Sequence, residues 1–242
     1  MCGTCGCQDA ANHAHKHEHT DKTIALEKEI MQVNDDYAGK NRQVLKQKNA
    51  TAINFVSSPG SGKTSLLEAS IKRLIHRYSI KVIEGDQQTQ LDAERIRRAG
   101  ADAYQINTGK ACHLDAHMIG HAFEHLDIQQ DSFVFIENVG NLICPAMFDL
   151  GEAHRVALIS TTEGADKPLK YPDMFYHSDI VVINKVDLLP YVDFDMKSCI
   201  KNIKKIRPNA TIFELSVKDG FGMSEWCEWL ISTLKVKENA EA

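Results

Sequence analysis

The most constraining feature of the chain is residues 57–64, which read Ser-Ser-Pro-Gly-Ser-Gly-Lys-Thr. An apolar run at 53–56 precedes this stretch, and a helical pattern follows it. A glycine-rich turn between a strand and a helix, closing on Gly-Lys-Thr, is typical of a loop whose backbone N–H groups surround phosphates. The usual pattern begins with glycine, where this chain has Ser57. A plain Gly-Ser turn would not require Gly-Lys-Thr in this order, so the stretch predicts nucleotide binding.

The residues of this loop have distinct predicted tasks. Gly60 and Gly62 let the backbone approach the phosphates closely. Lys63 is expected to reach the β- and γ-phosphates and the Thr64 hydroxyl to bind Mg²⁺, while the helix that starts here adds the positive end of its dipole. The predicted phosphate-binding residues are Gly60, Ser61, Gly62, Lys63, Thr64 and Ser65.

Composition limits the class of protein. The chain has 242 residues, of which 43% are hydrophobic and 25% charged, which suits one α/β domain with a core and a tail. A net charge of −5 gives no reason to expect binding to nucleic acid or to an anionic membrane. Since we find no membrane-spanning run and no signal peptide, we expect a cytoplasmic protein. The cysteine count is seven, with three in the first seven positions, which suggests metal or redox chemistry.

Apolar runs alternate with helical stretches from residue 50 onward, which predicts a doubly wound, mostly parallel sheet with helices on both faces. Strands are predicted at 53–56, 81–83, 103–106, 133–136, 156–160, 180–183 and 212–215. Helices are predicted to begin near Thr23, Thr64, Asp92, His113, Lys170, Asp195 and Ser224. The predicted domains are a flexible Cys/His-rich tail (1–22), a helical arm (23–49), a phosphate-loop GTPase domain (50–236) and a frayed end (237–242).

A second motif, Asn-Lys-Val-Asp at 184–187, directly follows a predicted buried strand. In this setting the Asp187 carboxylate is expected to accept from N1–H and the exocyclic amine of guanine, a donor pair that adenine lacks. Asn184 can bond the base and tie back to the phosphate loop, and the Lys185 stem can lie along the ring. Ser216 and Lys218 follow the last predicted strand, where a backbone N–H commonly meets guanine O6. The motif therefore predicts GTP.

Two strand-end segments between these motifs are candidate switches. In Glu-Gly-Asp at 84–86, Asp86 can face Mg²⁺ directly or through water. Glu-Asn-Val-Gly at 137–140 occupies the place of the usual Asp-x-x-Gly, so Glu137 and Gly140 are expected near the γ-phosphate. Lys63, Thr64, Asp86 and Glu137 form the predicted catalytic set. No activating Gln or arginine finger is recognisable, which suggests that dimerisation or a partner supplies acceleration.

Soft ligands follow both candidate switches. Cys112 and His113 stand at a predicted helix start and Cys144 follows the second switch, so they could bind Ni²⁺ or Zn²⁺ under control of the nucleotide. Each cysteine could instead be a buried core thiol. Histidines recur every fourth residue from His113 through His117 and His121 to His125. Neighbouring members could share a metal, but for His121 and His125 we favour a solvated helix face, and we leave His117 open.

The amino terminus offers denser thiols. Cys2, Cys5 and Cys7 can wrap one soft or borderline cation, and the alternating His13, His15, His17 and His19 would bind transition metals weakly. A surface thiol cluster prone to oxidation is the simpler alternative. Spacing alone does not choose nickel over zinc.

Together with Thr-Gly-Lys-Ala-Cys-His-Leu at 108–114, Cys-Pro at 144–145 and Asp-Lys-Pro-Leu-Lys-Tyr-Pro at 166–172, these motifs resemble the HypB family of hydrogenase nickel-incorporation GTPases. The resemblance implies a GTPase that dimerises with GTP and carries a metal site at or near the dimer interface, on Cys112, His113 and Cys144. The start of the chain is similar to the family's Cys-x-x-Cys-x-Cys nickel site. Expected partners are a HypA-type metallochaperone and the large-subunit precursor of a [NiFe]-hydrogenase.

Three other functions stay open at this point. A nickel or zinc buffer would store metal in its tail and use the GTPase domain to set oligomeric state. A regulatory or translation-type GTPase would have an incidental tail, although it needs no soft ligands beside its switches. A urease accessory GTPase also handles nickel, although the Cys-rich start and the Lys-Tyr-Pro segment disfavour it.

Overall fold

The computed structural model describes residues 10–86, 91–109 and 111–238. Strands in these ranges are β1 (Thr51–Ser57), β2 (Ile80–Asp86), β3 (Asp102–Asn107), β4 (Phe133–Gly140), β5 (His154–Ser160), β6 (Ile180–Asn184) and β7 (Thr211–Glu214). The α-helices are α1 (Ala10–Gln47), α2 (Lys63–Leu74), α3 (Leu91–Ala99), α4 (Ala116–His125), α5 (Cys144–Met147), α6 (Lys167–Lys170), α7 (Pro172–Tyr176), α8 (Met196–Ile206) and α9 (Met223–Glu238). A 3₁₀ helix covers Val186–Tyr191.

All seven strands form one parallel sheet in the order β3-β2-β4-β1-β5-β6-β7. The predicted doubly wound α/β fold is confirmed, and each predicted strand lies within or next to an observed one. After β4 the chain passes β1 to reach β5, so the strand order changes direction around β1. In open α/β sheets ligands bind beyond the carboxyl ends of the strands at such a point.

Alternate residues of the central strands pack to opposite faces of the sheet. Ile53 and Phe55 of β1 join a cluster with α2, α3 and α9, whereas Val56 joins a cluster with α5, α7 and α8. A third cluster joins α1 and α4 to Ile83 and Ile136 on the second face. Both faces are therefore covered, which explains why these strands are continuous apolar runs.

Helix α1 begins at Ala10, whereas the sequence pattern predicted a start near Thr23. The prediction followed apolar periodicity, which begins at Ile24, and the Ala-, Lys- and Glu-containing segment before it has adequate helix propensity without such a stripe. Asn41 anchors the other half of α1, since its amide donates to the carbonyls of Ala116 and Leu150 at 2.8 and 2.9 Å. Cys2, Cys5 and Cys7 lie outside the described residues, as do the side chains of His13, His15, His17 and His19. The tail and domain limits stay predictions.

Two other helix starts differ from the prediction. Asp115 caps α4 by accepting from the Met118 N–H at 2.8 Å, so His113 precedes the helix and the periodic row begins at His117. Lys170 ends the short helix α6 instead of starting a longer one, and Pro172 starts α7. A proline cannot continue the preceding turn, so the chain forms two short helices here. Within the described residues, no helix is both long and apolar enough to cross a bilayer.

Candidate functional site

A cavity of about 610 Å³ opens beyond the carboxyl ends of β1, β2 and β4. Its lining is Ser57, Ser58, Pro59, Gly60, Ser61, Gly62, Lys63, Thr64, Ser65, Asp86, Asp92, Arg95, Glu137, Val139, Gly140 and Lys185. The whole predicted phosphate loop and both predicted switches therefore meet at one place. The sequence had not indicated Asp92 and Arg95, which reach the cavity from α3.

The loop backbone has the conformation that its glycines predict. Gly60 and Gly62 have φ values of +77° and +101°, and α2 begins immediately after them at Lys63. Such angles are unfavourable for residues with a Cβ. An internal hydrogen bond also stabilises the turn, since the Ser61 hydroxyl donates to the Ser58 carbonyl at 3.0 Å. The N-terminal amides of α2 consequently face the cavity, where a phosphate is stabilised by unpaired N–H groups and the helix dipole.

Glu137 joins the loop to the end of β4. Its Oε1 accepts from the Thr64 hydroxyl at 2.7 Å and lies 3.7 Å from the Lys63 ammonium. Lys63 and Glu137 are both buried, so their charges interact in a medium of low dielectric. Thr64, Lys63 and Glu137, three of the four predicted catalytic residues, are thus in direct contact.

Glu84, which the sequence analysis did not select, lies beside Glu137 on the neighbouring strand. Burial raises the pKa of Glu84 well above its usual value, and the nearby Glu137 charge raises it further. Burial also raises the pKa of Glu137, against the lowering influence of Lys63. Burial and the proximity of the two carboxyl groups therefore favour the protonated form of Glu84. The sequence does not indicate this residue because its perturbation depends on Glu137, which lies beside it only once β2 pairs with β4.

The acidic oxygens at the cavity fit a hard cation. Glu137 lines this cavity, and its Oε2 is one of the buried side-chain atoms in the described residues that have no hydrogen-bond partner. The Thr64 hydroxyl and Asp86 line the same cavity. Carboxylate and hydroxyl oxygens beside a phosphate cradle are the donors that Mg²⁺ prefers.

The Asn-Lys-Val-Asp motif lies against the phosphate loop. Asn184 donates its amide to the Ser61 carbonyl at 2.9 Å, and the Lys185 ammonium donates to the Gly60 carbonyl at 2.7 Å. The motif is thus fixed to the loop at two points. Lys185 turns the chain with φ +63° to start the 3₁₀ helix that carries Asp187.

Asp187 is oriented from the opposite side. Its Oδ1 accepts from the Ser216 hydroxyl at 2.7 Å, and its Oδ2 lies 4.0 Å from the exposed Lys218 ammonium. The predicted residue Ser216 therefore positions the carboxylate that is expected to recognise the base, with Lys218 near it. Because Oδ1 is held by Ser216, Asp187 offers its acceptors in a defined orientation.

Cys112, His113 and Cys144 come together as predicted. One ligand atom of each lies within 4.8 Å of the others, and in the described part of the chain this is the one group of three or more such residues. The two thiols are free and their sulfurs are 2.8 Å apart, while His113 Nδ1 lies 3.8 Å from Cys112 Sγ. Two sulfurs and one imidazole nitrogen leave a fourth position open for a tetrahedral ion.

The walls of this cluster are fixed by buried contacts. His113 stacks on Phe148 with ring centroids 3.9 Å apart, and burial lowers the pKa of His113. The buried Arg155 guanidinium donates to the carbonyls of Ala146 and Phe148 at 2.8 and 2.7 Å. Arg155 thus holds the segment that carries Cys144, a role that no sequence motif indicated.

Two contacts connect the cluster to the nucleotide cavity. The Leu114 N–H donates to the side-chain oxygen of Asn138 at 3.1 Å, and Asn138 follows Glu137 directly. A methyl group at Gly85 would approach the Leu114 side chain to 2.8 Å, so Gly85 is the residue that lets Leu114 pack on β2. Leu114, next to His113, therefore contacts both switch segments.

The fold and these sites define a P-loop nucleotide-binding protein with a Cys/His cluster beside its nucleotide cavity. A family model described as the CobW/HypB/UreG nucleotide-binding domain matches residues 51–214. The hydrogenase maturation factor HypB of Rhizobium leguminosarum bv. viciae is 56% identical over 210 residues, covering 87% of this chain and 70% of the relative. The chain belongs to the HypB family.

Solved structures agree with this assignment. HypB from Helicobacter pylori, crystallised in complex with nickel, is 39% identical with a TM-score of 0.80, covering 84% of this chain and 96% of that one. HypB from Archaeoglobus fulgidus is 43% identical with a TM-score of 0.80, covering 84% of this chain and all of that one (100%). The family resemblance predicted from the motifs is confirmed.

Proposed function

We propose that this protein hydrolyses GTP to GDP and phosphate and uses the nucleotide state to deliver nickel to the large-subunit precursor of a [NiFe]-hydrogenase. Membership of the HypB family supports the maturation role, and the nickel complex of the Helicobacter pylori relative supports the cargo. The observation that carries the proposal is the placement of the Cys112–His113–Cys144 cluster against both switch segments of the nucleotide cavity.

The nucleotide half of the proposal follows from the residues at the cavity. Lys63 and the α2 amides would bind the β- and γ-phosphates, and Thr64, Asp86 and Glu137 would hold Mg²⁺, which supplies charge neutralisation of the phosphates. Asp187 would select guanine by accepting from its N1–H and amine. The phosphate loop already has positive φ at Gly60 and Gly62, so the loop itself needs little reorganisation to bind the phosphates.

The metal half follows from ligand chemistry. Two thiolates and one imidazole suit Ni²⁺ or Zn²⁺, and the open fourth position accepts water or a donor from a second protein. A site of this kind can pass its ion on, because a fully closed shell would retain it. A homodimer formed with GTP, a HypA-type metallochaperone and the hydrogenase precursor are the partners we propose.

Coupling between the halves has a structural basis in Leu114 and Asn138. When the γ-phosphate is present, the end of β4 is expected to reorder around Glu137 and Gly140. Asn138 would then move the Leu114 backbone, and with it His113 and Cys112. Nucleotide state can thereby change the geometry of the cluster and its metal affinity.

The decisive experiment measures nickel affinity of the full chain with GDP and with a non-hydrolysable GTP analogue. The wild type should show different affinities in the two states, and a Cys112→Ala/His113→Ala variant should lose that difference. Cys227→Ala is the matched control, because it removes a buried free thiol remote from the cluster. Phosphate release should be faster with GTP than with ATP. Equal nickel affinity in both nucleotide states would remove the coupling.

A further inference from the structure

His117 and His121 lie one turn apart on the exposed face of α4, with ring centroids 5.1 Å apart and planes at 86°. We propose that these two imidazoles form a second nickel site, separate from the Cys112–His113–Cys144 cluster. The sequence pattern favoured a solvated face for His121, and its side chain is indeed exposed, which leaves the ring accessible to an ion. The choice of nickel as cargo rests on the proposed function, whereas the pairing of the rings does not.

The separation of the rings matches shared coordination. A metal bound about 2.0–2.1 Å from one nitrogen of each ring lies about 3.2 Å from each ring centre. Two such ligands at a tetrahedral angle have centroids about 5.2 Å apart. The observed 5.1 Å therefore requires almost no movement of the ring centres. Histidines four residues apart on a helix are a known geometry for chelating one ion.

Glu124 prepares one of the two ligands. Its Oε2 lies 3.4 Å from His121 Nδ1, and both side chains are exposed, so a small rotation would let the carboxylate accept from Nδ1–H and leave Nε2 for the metal. Carboxylates commonly orient a ligating histidine in this way. His117, His121 and Glu124 border one cavity of about 450 Å³, so water can complete the coordination shell.

The surroundings restrict the site to this pair. Tyr37 of α1 packs edge-on against His117 with centroids 4.8 Å apart, which limits the ring positions available to His117. Lys40 borders the same cavity as the pair, and its ammonium lies 4.6 Å from the centre of the Tyr37 ring, which stabilises part of its positive charge. His125 stacks flat on Tyr104, with centroids 5.2 Å apart and planes at 6°, and is therefore held away from the pair.

The pair is also close to the first cluster. An apolar groove of about 470 Å³ is bordered by both His117 and Phe148, and Phe148 is the ring that stacks on His113. A weak two-imidazole site at this groove would hold nickel near the thiol cluster without competing with its tighter ligands.

The test is histidine modification by diethyl pyrocarbonate on the full chain, read by peptide mass mapping with nickel added past saturation. Nickel bound by the pair blocks the free imidazole nitrogens. His117 and His121 should therefore be modified at least about fivefold more slowly with the metal, while the exposed His76 and His125 change less than about twofold. His121→Gln should abolish the protection of His117, and the matched control His125→Gln should leave it intact. Glu124→Gln should weaken the apparent affinity by up to about tenfold.

Two results would overturn the proposal. One is modification of His117 and His121 at equal rates with and without nickel. The other is full protection of His117 in the His121→Gln variant, which would mean that the rings do not share an ion. The two proposals fail separately. If nickel protects His117 and His121 but nickel affinity is equal in both nucleotide states, the second site stands and the proposed coupling is wrong.

Discussion

Gly62 is the point where the phosphate loop and the guanine motif are packed most tightly. A methyl group at this position would lie 2.5 Å from Asn184 Nδ2, the atom that donates to the Ser61 carbonyl. Gly60, two residues earlier in the same loop, also has a positive φ, but a methyl group there would have no neighbouring atom within 4 Å. A Gly60→Ala change would therefore introduce backbone strain alone, whereas Gly62→Ala would introduce both backbone strain and a steric clash.

Gly62→Ala should destabilise the fold by two additive effects. A non-glycine residue at φ +101° costs about 1–2 kcal/mol. Displacing Asn184 breaks its buried hydrogen bond to Ser61, at about 1–3 kcal/mol. The expected total is about 2–5 kcal/mol, whereas Gly60→Ala should lose only the strain of about 1–2 kcal/mol.

Urea unfolding of the nucleotide-free chain measures this difference, with thermal unfolding as a second readout in which each kcal/mol lowers Tm by about 2–4 °C. Asn184→Ala completes a double-mutant cycle. Since Gly62→Ala already breaks the Asn184 bond, adding Asn184→Ala should cost little more, with a coupling of about 1–3 kcal/mol. Equal destabilisation by Gly60→Ala and Gly62→Ala, together with additive free energies in the cycle, would refute the steric argument.

Three further predictions concern separate parts of the site. Asp187→Asn replaces the acceptor for guanine by an amide, so GTP affinity in equilibrium binding should fall about 10–150-fold and xanthosine triphosphate should bind better than to the wild type. Glu84 has a raised pKa in the folded chain, so its contribution to stability is present below the unfolded value of about 4.3 and is lost as pH rises towards the folded pKa. Glu84→Gln should therefore gain stability over the wild type as pH increases from 5 to 8 in urea titrations, and a constant difference would contradict this. Arg155→Met should weaken nickel binding several-fold although Arg155 is not a ligand, because it frees the carbonyls that position the Cys144 segment; unchanged affinity would contradict it.

Pattern and local chemistry were sufficient for the architecture and for predicting which candidate site residues lie together. The strands are short apolar runs because both faces of the sheet are covered. A continuously apolar run such as 180–183 therefore predicts a buried strand, which is where β6 lies. The phosphate loop was predictable because Gly62 and Lys63 have a conformational and a chemical requirement that few other residues meet. Helix α1 was only half predicted, since its first part lacks the apolar stripe on which the prediction depended.

The residues that sequence reasoning missed act through tertiary contacts. Glu84 is perturbed by Glu137 on the neighbouring strand, and that proximity depends on β2 lying next to β4 in a sheet where β4 is inserted between β2 and β1. Arg155 acts on carbonyls of α5 and the residue after it, and the pattern did not predict that helix. Conversely, His113 was predicted to start a helix because it lies four residues before His117. Asp115 is the better N-cap, so α4 starts later, at Ala116.

The distance between the sulfurs of Cys112 and Cys144 indicates how large a movement the proposed coupling involves. Two thiolates bound to one tetrahedral ion at about 2.3 Å lie about 3.8 Å apart, roughly 1 Å farther than the 2.8 Å between Cys112 and Cys144 here. Loading the site must therefore move the two sulfurs apart, by rotation of the cysteine side chains or by displacement of the segments that carry them. Asn138 of β4 accepts from the Leu114 N–H and adjoins Glu137, so a displacement of the segment before α4 would also strain the nucleotide cavity. Because binding linkage is reciprocal, any factor by which the GTP analogue changes nickel affinity must also be the factor by which nickel changes affinity for the analogue.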